Sequence, residues 1–179
     1  MKMNYCYLCG QRADAITTHD GTHWKCQGCG QTFYDNPKPA TEAILVTEDF
    51  RVVVAVRARD PHKGKLDLPG GLVDCGETIE HALVRELEEE LGLLPKDYSG
   101  PIYLPSAVDD YPWGPEHHSV ITVPFTARID AAAHLEPQDD VAEVALRSID
   151  ELNIEDFAWP TQYNLVVAAL EYWKAQARG

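Results

Sequence analysis

The chain has 179 residues, of which 45% are hydrophobic and 25% charged, an ordinary composition for a soluble globular protein with one full domain and a small module. Its formal net charge of −14 argues against a nucleic-acid partner, because neutralising a phosphate backbone requires clustered Lys and Arg. No apolar run approaches the roughly 20 residues that span a bilayer, and the first residues do not resemble a secretion signal, so we expect a cytoplasmic protein without a membrane segment.

Two C-x2-C pairs stand near the start of the chain, with sixteen residues between them. This spacing is typical of a four-thiolate zinc site, whose metal would supply the folding energy that about thirty residues lack on their own. A glycine follows each pair, Gly10 and Gly30, which suits a tight turn whose amides approach the sulfurs. Two disulfides in a secreted mini-domain, or four unrelated thiols, are the alternative interpretations. The predicted zinc ligands are Cys6, Cys9, Cys26 and Cys29.

Two prolines in FYDNPKPA mark a linker after the second cysteine pair. They predict a zinc-binding module over residues 1–36 and a larger domain over residues 37–179. The larger domain opens with TEAILVTEDFRVVVAVRAR, which has the pattern of two Ile- and Val-rich strands joined by a turn at Glu48 and Asp49. We therefore expect a hairpin there.

The rest of the larger domain alternates between helix and strand patterns. A helix is predicted from Thr78 to Gly92, and a closing helix from Pro160. Between them, PIYLPSAVDDY, SVITVPFTARI and EVALRSI read as strands, with YPWGPEHH as a loop between the first two. This order predicts an α/β fold in which helices sandwich a mixed sheet.

The first predicted helix is unusually acidic, with six glutamates within the fourteen positions from Glu77 to Glu90. At roughly 100° per residue, Glu86 and Glu90 fall within or beside its apolar stripe, with Glu89 on the flank. Glu88 points to the opposite side. Carboxylates stacked one turn apart repel one another, and the repulsion costs more when they are partly buried. The pattern therefore favours a bound Mg²⁺ or Mn²⁺ over a merely solvated, charge-rich helix.

The segment LPGGLVDCGE leads into this helix with Gly70, Gly71 and Gly76. Glycines allow positive φ and close backbone approach, so the loop can bring a backbone carbonyl to the metal. The G-x-x-x-x-G-K-[ST] pattern is absent from it, which argues against a P-loop.

Together, the loop and helix resemble the Nudix box, G-x5-E-x7-R-E-U-x-E-E-x-G-U, in which U is a bulky aliphatic residue. Gly71, Glu77 and the run from Arg85 to Leu93 match it at every specified position over 23 residues. The whole chain is similar to Nudix hydrolases that carry an N-terminal zinc ribbon. The resemblance implies an α/β/α sandwich that hydrolyses a diphosphate linkage in a nucleoside diphosphate joined to another group.

The resemblance also implies roles for individual residues. Arg85 corresponds to the arginine that pairs with the first glutamate of the box, Glu77, and so holds the loop to the helix. The residues that correspond to metal ligands are Glu86, Glu89, Glu90 and, through its carbonyl, Gly70.

The general base is less sharply indicated, since family members take it either from the box or from a downstream loop. In this chain the downstream candidates are Glu136, Asp139 and Asp140 in HLEPQDDVAEV. Asp140 is the predicted base because it stands just before the EVAL strand. A box glutamate as the base, or an ordinary acidic surface loop, is the alternative.

The chain departs from one subgroup of the family. NADH pyrophosphatases with a zinc ribbon carry S-Q-P-W-P-F-P-x-S beyond the box, whereas this chain has SAVDDYPWGPEHHS there and shares little more than Pro-Trp. This difference argues against NADH as the physiological substrate. Tyr111, Trp113 and His117 in this stretch are either nucleobase contacts or incidental loop residues.

The predicted function is Mg²⁺- or Mn²⁺-dependent hydrolysis of a nucleotide derivative such as NADH, ADP-ribose, another dinucleotide or a nucleoside triphosphate. The alternative is a non-catalytic module that senses a nucleotide while the zinc ribbon contacts a partner. Rearrangement of isoprenoid diphosphates would need a Cys and acid pair that the sequence does not place. A homodimer is a further expectation, because a ribbon packed against a partner subunit would be one way to close the site.

Overall fold

The computed structural model describes residues 3–19, 21–113 and 116–178, and for Glu116 only the backbone. The chain divides into two compact units. The ribbon unit comprises Met1–Pro37 with Asp110–Ser119, and the sandwich unit comprises Lys38–Asp109 with Val120–Gly179.

The ribbon unit contains a three-stranded antiparallel sheet, formed by β1 (Ala13–Thr18), β2 (Gly21–Cys26) and β3 (Thr32–Tyr34). Two similar turns precede β1 and β3, in the hexapeptides CYLCGQ and CQGCGQ. In each turn the glycine N–H donates to the carbonyl of the first cysteine, Gly10 to Cys6 over 2.8 Å and Gly30 to Cys26 over 3.1 Å. Both glycines have positive φ, 71° and 75°, so the predicted tight turns are confirmed.

The sandwich unit is built on an eight-stranded mixed sheet in the order β11-β5-β4-β10-β8, with β6 on β5, β7 on β4 and β9 on β10. Strand β10 runs parallel to β4, whereas β4–β5, β4–β7 and β5–β11 are antiparallel. The strands are β4 (Lys38–Val46), β5 (Val52–Arg57), β6 (Leu66–Asp67), β7 (Gly70–Leu72), β8 (Ile102–Tyr103), β9 (Ala107–Trp113), β10 (Glu116–Arg128) and β11 (Val141–Arg147).

Two helices cover the sheet, α1 (Ile79–Leu91) and α2 (Pro160–Gln176), and short 3-10 turns at Ile149–Glu151 and Ile154–Asp156 precede α2. Thr78 caps the start of α1 by accepting a hydrogen bond from the His81 N–H over 3.3 Å. Gly92 ends the helix in the left-handed region, where its N–H donates to the Glu88 carbonyl over 3.0 Å. None of the helices in the described ranges is long and apolar enough to cross a membrane.

The helices lie on opposite faces of the sheet because side chains along a strand alternate between faces. On β4, Ala43 and Leu45 belong to the apolar core with α1, together with Leu83, Leu87 and Leu91. The intervening Ile44 and Val46 belong to the core with α2, together with Leu165, Val166, Ala169 and Leu170. The predicted α/β/α sandwich with a mixed sheet is therefore confirmed.

Two local expectations differ from the structure. The segment PIYLPSAVDDY forms two strands, β8 and β9, because Pro105 lacks the N–H that a continuous ladder requires. The predicted loop YPWGPEHH is shorter than expected: β9 runs to Trp113 and β10 begins at Glu116, while residues 114 and 115 lie outside the described part of the chain.

Candidate active site

The acidic residues of α1 differ sharply in exposure. Glu90 is 7% exposed, and the Glu86 side chain is 13% exposed. The Glu89 side chain is 52% exposed and Glu88 also faces solvent. This order agrees with the helical-wheel prediction, which placed Glu86 and Glu90 beside the apolar stripe.

Gly70 connects the sheet to this helix, since its N–H donates to Glu90 Oε2 over 2.9 Å. Its φ of 148° lies in the region that favours glycine, and a Cβ atom there would lie 2.2 Å from the Thr41 carbonyl oxygen. At Gly71, a Cβ atom would lie 2.4 Å from Glu86 Oε1. Gly71 therefore leaves the space that the Glu86 carboxylate occupies, whereas Gly70 allows the close approach of its strand to the backbone of β4.

The Arg85 guanidinium links the box loop to the helix. Its Nε and Nη2 donate to the two carboxylate oxygens of Glu77, each over 3.0 Å, and Nη2 also donates to the Leu72 carbonyl over 3.1 Å. The pKa of Glu77 is lowered by these hydrogen bonds from Arg85. On the other side, Arg85 Nη1 donates to Glu86 Oε1 over 2.7 Å and to Glu89 Oε2 over 3.0 Å. One arginine thus contacts three of the box glutamates.

The acidic loop over residues 136–140, just before β11, is hydrogen-bonded to the end of α1. The Gln138 N–H donates to the Glu90 carbonyl over 3.0 Å, and the Glu136 N–H donates to the Leu91 carbonyl over 3.1 Å. The Asp140 carbonyl accepts from the Ala58 N–H over 2.7 Å. These hydrogen bonds bring the loop, and with it Asp140, to the box glutamates.

The loop acids differ in their surroundings. Asp139 is exposed, and its Oδ1 accepts from Arg59 Nη2 over 3.0 Å. Asp140 is partly buried, and its charge contributes to raising the pKa of both Glu86 and Glu90. Of the downstream acids considered from the sequence, Asp140 therefore interacts electrostatically with the buried carboxylates.

The buried carboxylates lack enough positive charge to compensate them. Burial raises the pKa of Glu90 to about 9, although the Gly70 N–H opposes the shift. Burial also raises the pKa of Glu86, against the effect of Arg85. Carboxylate oxygens are the ligands that a hard divalent cation takes, and such a cation would supply the missing charge, but in the described part of the chain only the four cysteines bring three or more ligand atoms within 4.8 Å of one another. We call Glu86, Glu89, Glu90 and Asp140 the acid cradle.

The four predicted cysteines lie together in the ribbon unit, with their Sγ atoms all within 4.8 Å of one another. They are free thiols, as is the exposed Cys75, so the disulfide alternative is wrong. The N–H groups of Cys29 and Gly28 donate to Cys26 Sγ over 3.4 and 3.3 Å and lower the pKa of this thiol to about 6. The four-cysteine cluster could hold one metal ion.

A second polar cluster, which the sequence analysis did not single out, lies on the α2 face of the sheet. Gln162 is only 1% exposed, and its Nε2 donates to Glu42 Oε1 over 2.8 Å and also to Asp67. The one local signal is Glu42, a charged residue at the start of an Ile- and Val-rich strand. The buried Gln162 amide thus has hydrogen-bond partners, as buried polar groups in proteins usually do.

Two known proteins are similar in sequence to part of this chain. The chain is 46% identical over 63 residues to the ADP-ribose pyrophosphatase of Methanocaldococcus jannaschii, across 35% of this chain and 37% of that protein. It is 32% identical over 95 residues to the NAD-capped RNA hydrolase NudC of Photobacterium profundum, across 52% of this chain and 34% of that protein. The chain thus spans little more than a third of the length of these relatives.

The fold has close counterparts among solved structures. A NUDIX hydrolase from Nitrosomonas europaea superimposes with a TM-score of 0.62 at 24% identity, over 88% of this chain and 84% of that one. The sequence model of the NUDIX domain matches residues 36–168. This match covers most of the chain and includes the whole acid cradle, so the protein belongs to the NUDIX domain family.

Proposed function

We propose that the protein is a divalent-cation-dependent pyrophosphohydrolase that cleaves a diphosphate linkage in a nucleoside diphosphate derivative. The observation that carries this proposal is the burial of Glu86 and Glu90 beside Gly70, without enough cationic partners to compensate them. Relatives named ADP-ribose pyrophosphatase and NAD-capped RNA hydrolase support the reaction class.

The cation in this proposal is Mg²⁺ or Mn²⁺. Its ligands would be Glu86, Glu89, Glu90 and the Gly70 carbonyl, as the resemblance implies. When bound, such a cation neutralises phosphate charge and lowers the pKa of a coordinated water.

In this proposal, three further residues either position the site or accept a proton. Arg85 and Glu77 fix the box loop against α1, so that Gly70 and Glu90 keep their contact. Asp140 takes the proton from the attacking water, and its loop is held in place by hydrogen bonds to the last carbonyls of α1. This arrangement requires no covalent intermediate.

The zinc-binding module, proposed over residues 1–36, takes one Zn²⁺ at its four cysteines, and the NUDIX hydrolase domain extends over residues 37–179. Unpaired cysteines favour a reducing compartment, so we place the protein in the cytoplasm. Association into a homodimer stays a prediction.

The test is product release from NADH, NAD, ADP-ribose, FAD, diadenosine polyphosphates and nucleoside triphosphates, with Mg²⁺ and then with Mn²⁺. One compound should be turned over well above the others, and Glu90→Gln should lower kcat by about a hundredfold or more, as expected when a metal site is damaged. Glu88→Gln is the matched control, since Glu88 lies on the exposed side of the same helix. Tight nucleotide binding without turnover would instead favour the non-catalytic sensing module.

A further inference from the structure

Asp139, in the acidic loop before β11, has a backbone conformation that is unusual for a residue with a side chain. Its φ is 48°, in the left-handed region, where a Cβ atom is disfavoured and glycine is the usual occupant. The Val141 N–H donates to the Gln138 carbonyl over 3.0 Å, so Asp139 is the second residue of a four-residue turn. Glycine would occupy this position with less strain, so the aspartate is explained by what its side chain contacts.

The Asp139 side chain is held by an arginine that is eighty positions away in the sequence. Arg59, in the loop between β5 and β6, donates from Nη2 to Asp139 Oδ1 over 3.0 Å and to the Asp139 carbonyl oxygen over 3.4 Å. The Arg59 and Asp139 side chains are 64% and 58% exposed, and such an exposed ion pair contributes little to the stability of a fold. We therefore expect the pair to act on the conformation of the turn.

The loop that carries Arg59 is closed by its own hydrogen bonds. At its base the Arg57 N–H donates to the Lys65 carbonyl over 3.0 Å, and the Gly64 N–H donates to the Arg57 carbonyl over 2.9 Å. Within the loop, Arg57 Nε donates to the Pro61 carbonyl over 2.7 Å. Arg59 therefore reaches Asp139 from a segment whose conformation is fixed independently.

Asp140, the acid proposed as general base, directly follows Asp139. Residues 57–59 each contact one residue of this region: Arg57 pairs with Val141, the Ala58 N–H donates to the Asp140 carbonyl over 2.7 Å, and Arg59 donates to Asp139. Because peptide units are planar and rigid, a change in the backbone angles of Asp139 reorients the Asp140 side chain. The turn at Asp139 thus determines the direction of the Asp140 carboxylate.

We propose that Arg59 is a positioning residue for the hydrolysis: by holding Asp139 in the left-handed conformation, it fixes the direction of the Asp140 carboxylate. This inference rests on the proposed function and adds a residue to it. An arginine that instead bound a substrate phosphate would act independently of Asp139, and the experiment separates the two roles.

The experiment compares the steady-state kinetics of full-length variants on the compound that the wild type turns over, with Mg²⁺. Arg59→Ala should lower kcat about tenfold with little change in KM, because a misplaced base slows the chemical step and leaves substrate binding intact. Arg59→Lys keeps the charge and a single donor group, and should recover part of the loss. Lys63→Ala removes another exposed cation of the same loop, and as the matched control it should keep the wild-type kcat.

A substitution at Asp139 identifies how Arg59 acts. Glycine enters the left-handed region without a steric cost, so Asp139→Gly should preserve the turn and most of kcat without help from Arg59. When it is added to Arg59→Ala, it should restore most of the lost kcat. The effects of the two substitutions would then be strongly non-additive, as expected for residues that act through one contact.

Hydrogen exchange of the cation-free protein gives a second readout that does not depend on turnover. The Ala58 N–H is protected by its hydrogen bond to the Asp140 carbonyl. Arg59→Ala should make this N–H exchange about tenfold faster, because the turn is no longer held, and adding Asp139→Gly should restore the protection.

A wild-type kcat in Arg59→Ala overturns the inference. A loss that appears in KM, or one that persists when Asp139→Gly is added, also overturns it and indicates direct contact of Arg59 with substrate. The proposed hydrolysis fails separately, if the wild type turns over no compound. Exchange at Ala58 then still decides whether Arg59 fixes the turn: faster exchange that Asp139→Gly reverses supports it, and unchanged exchange overturns it.

Discussion

The backbone N–H of Gly70 donates to the Glu90 carboxylate over 2.9 Å, and this hydrogen bond joins the first residue of β7 to the acid-rich helix. The two residues are twenty positions apart, yet each constrains the other. Glycine is required at position 70 because its φ is 148° and because a Cβ atom there would lie 2.2 Å from the Thr41 carbonyl oxygen. The buried carboxylate in turn is partly compensated by this N–H.

Gly70→Ala should therefore destabilise the fold by about 2–4 kcal/mol, since the new methyl group meets backbone atoms that cannot move aside as a side chain would. Urea unfolding followed by circular dichroism measures the change. Gly100→Ala is the control, because nothing lies within 4 Å of the added carbon there, and it should stay within about 0.5 kcal/mol of wild type. Equal stability of both variants would contradict the strain described for Gly70.

Replacing Asp140 tests the assignment of the general base. Asp140→Asn should lower kcat by about 10²- to 10⁴-fold, the usual contribution of a positioned base, with little change in stability. Asp139→Asn removes the neighbouring charge, which contacts exposed Arg59 rather than the cradle, and should have a much smaller effect on kcat. Full activity of Asp140→Asn would show that Asp140 is not the general base and would favour a box glutamate in that role.

The helix and its charged face could be predicted from the sequence because their determinants are local. Thr78, Gly92 and the apolar spacing between them define α1, and the same spacing sorts its glutamates into buried and exposed positions. The hairpin tip was less predictable, since Trp113 and the residues facing it extend strands into a stretch rich in turn formers.

The α2-face cluster could not be predicted because its members are distant in sequence. Glu42, Asp67 and Gln162 come from two strands and a helix, and only the folded sheet and helix bring them together. The sequence contains no repeated spacing that links these positions. A charged residue within an apolar strand, as at Glu42, is the one local pattern that indicates a buried polar site, because charged side chains are seldom buried without a partner.

The raised pKa of Glu90 predicts a pH-dependent stability in the absence of divalent cation. In the unfolded chain this carboxyl ionises near its usual pKa of 4.5, whereas in the folded protein its pKa is about 9. Between these values the folded state binds more protons than the unfolded state, so this group lowers the free energy of unfolding as the pH rises.

Glu90→Gln removes this titration. The free energy of unfolding of Glu90→Gln, minus that of the wild type, should therefore be larger at about pH 8.5 than at about pH 5. Urea titrations of both proteins at the two pH values measure this difference. Glu88→Gln, on the exposed side of the helix, should show no such trend. Added Mg²⁺ should cancel the advantage of Glu90→Gln, because only the wild-type cradle gains a ligand. A constant difference across the pH range would rule out a protonated Glu90.

The four-cysteine cluster predicts one zinc ion per chain whose removal unfolds the ribbon sheet, since three short strands with a small core are not stable alone. Cys26→Ser should lose the zinc, measured by mass spectrometry of the metal content, and hydrogen exchange should rise across β1 and β2 while α1 stays protected. Cys75→Ser, at an exposed thiol outside the cluster, should retain both the zinc and the protection. Unchanged metal content in Cys26→Ser would contradict the zinc site, whereas loss of zinc without faster exchange would mean that the strands hold together without it.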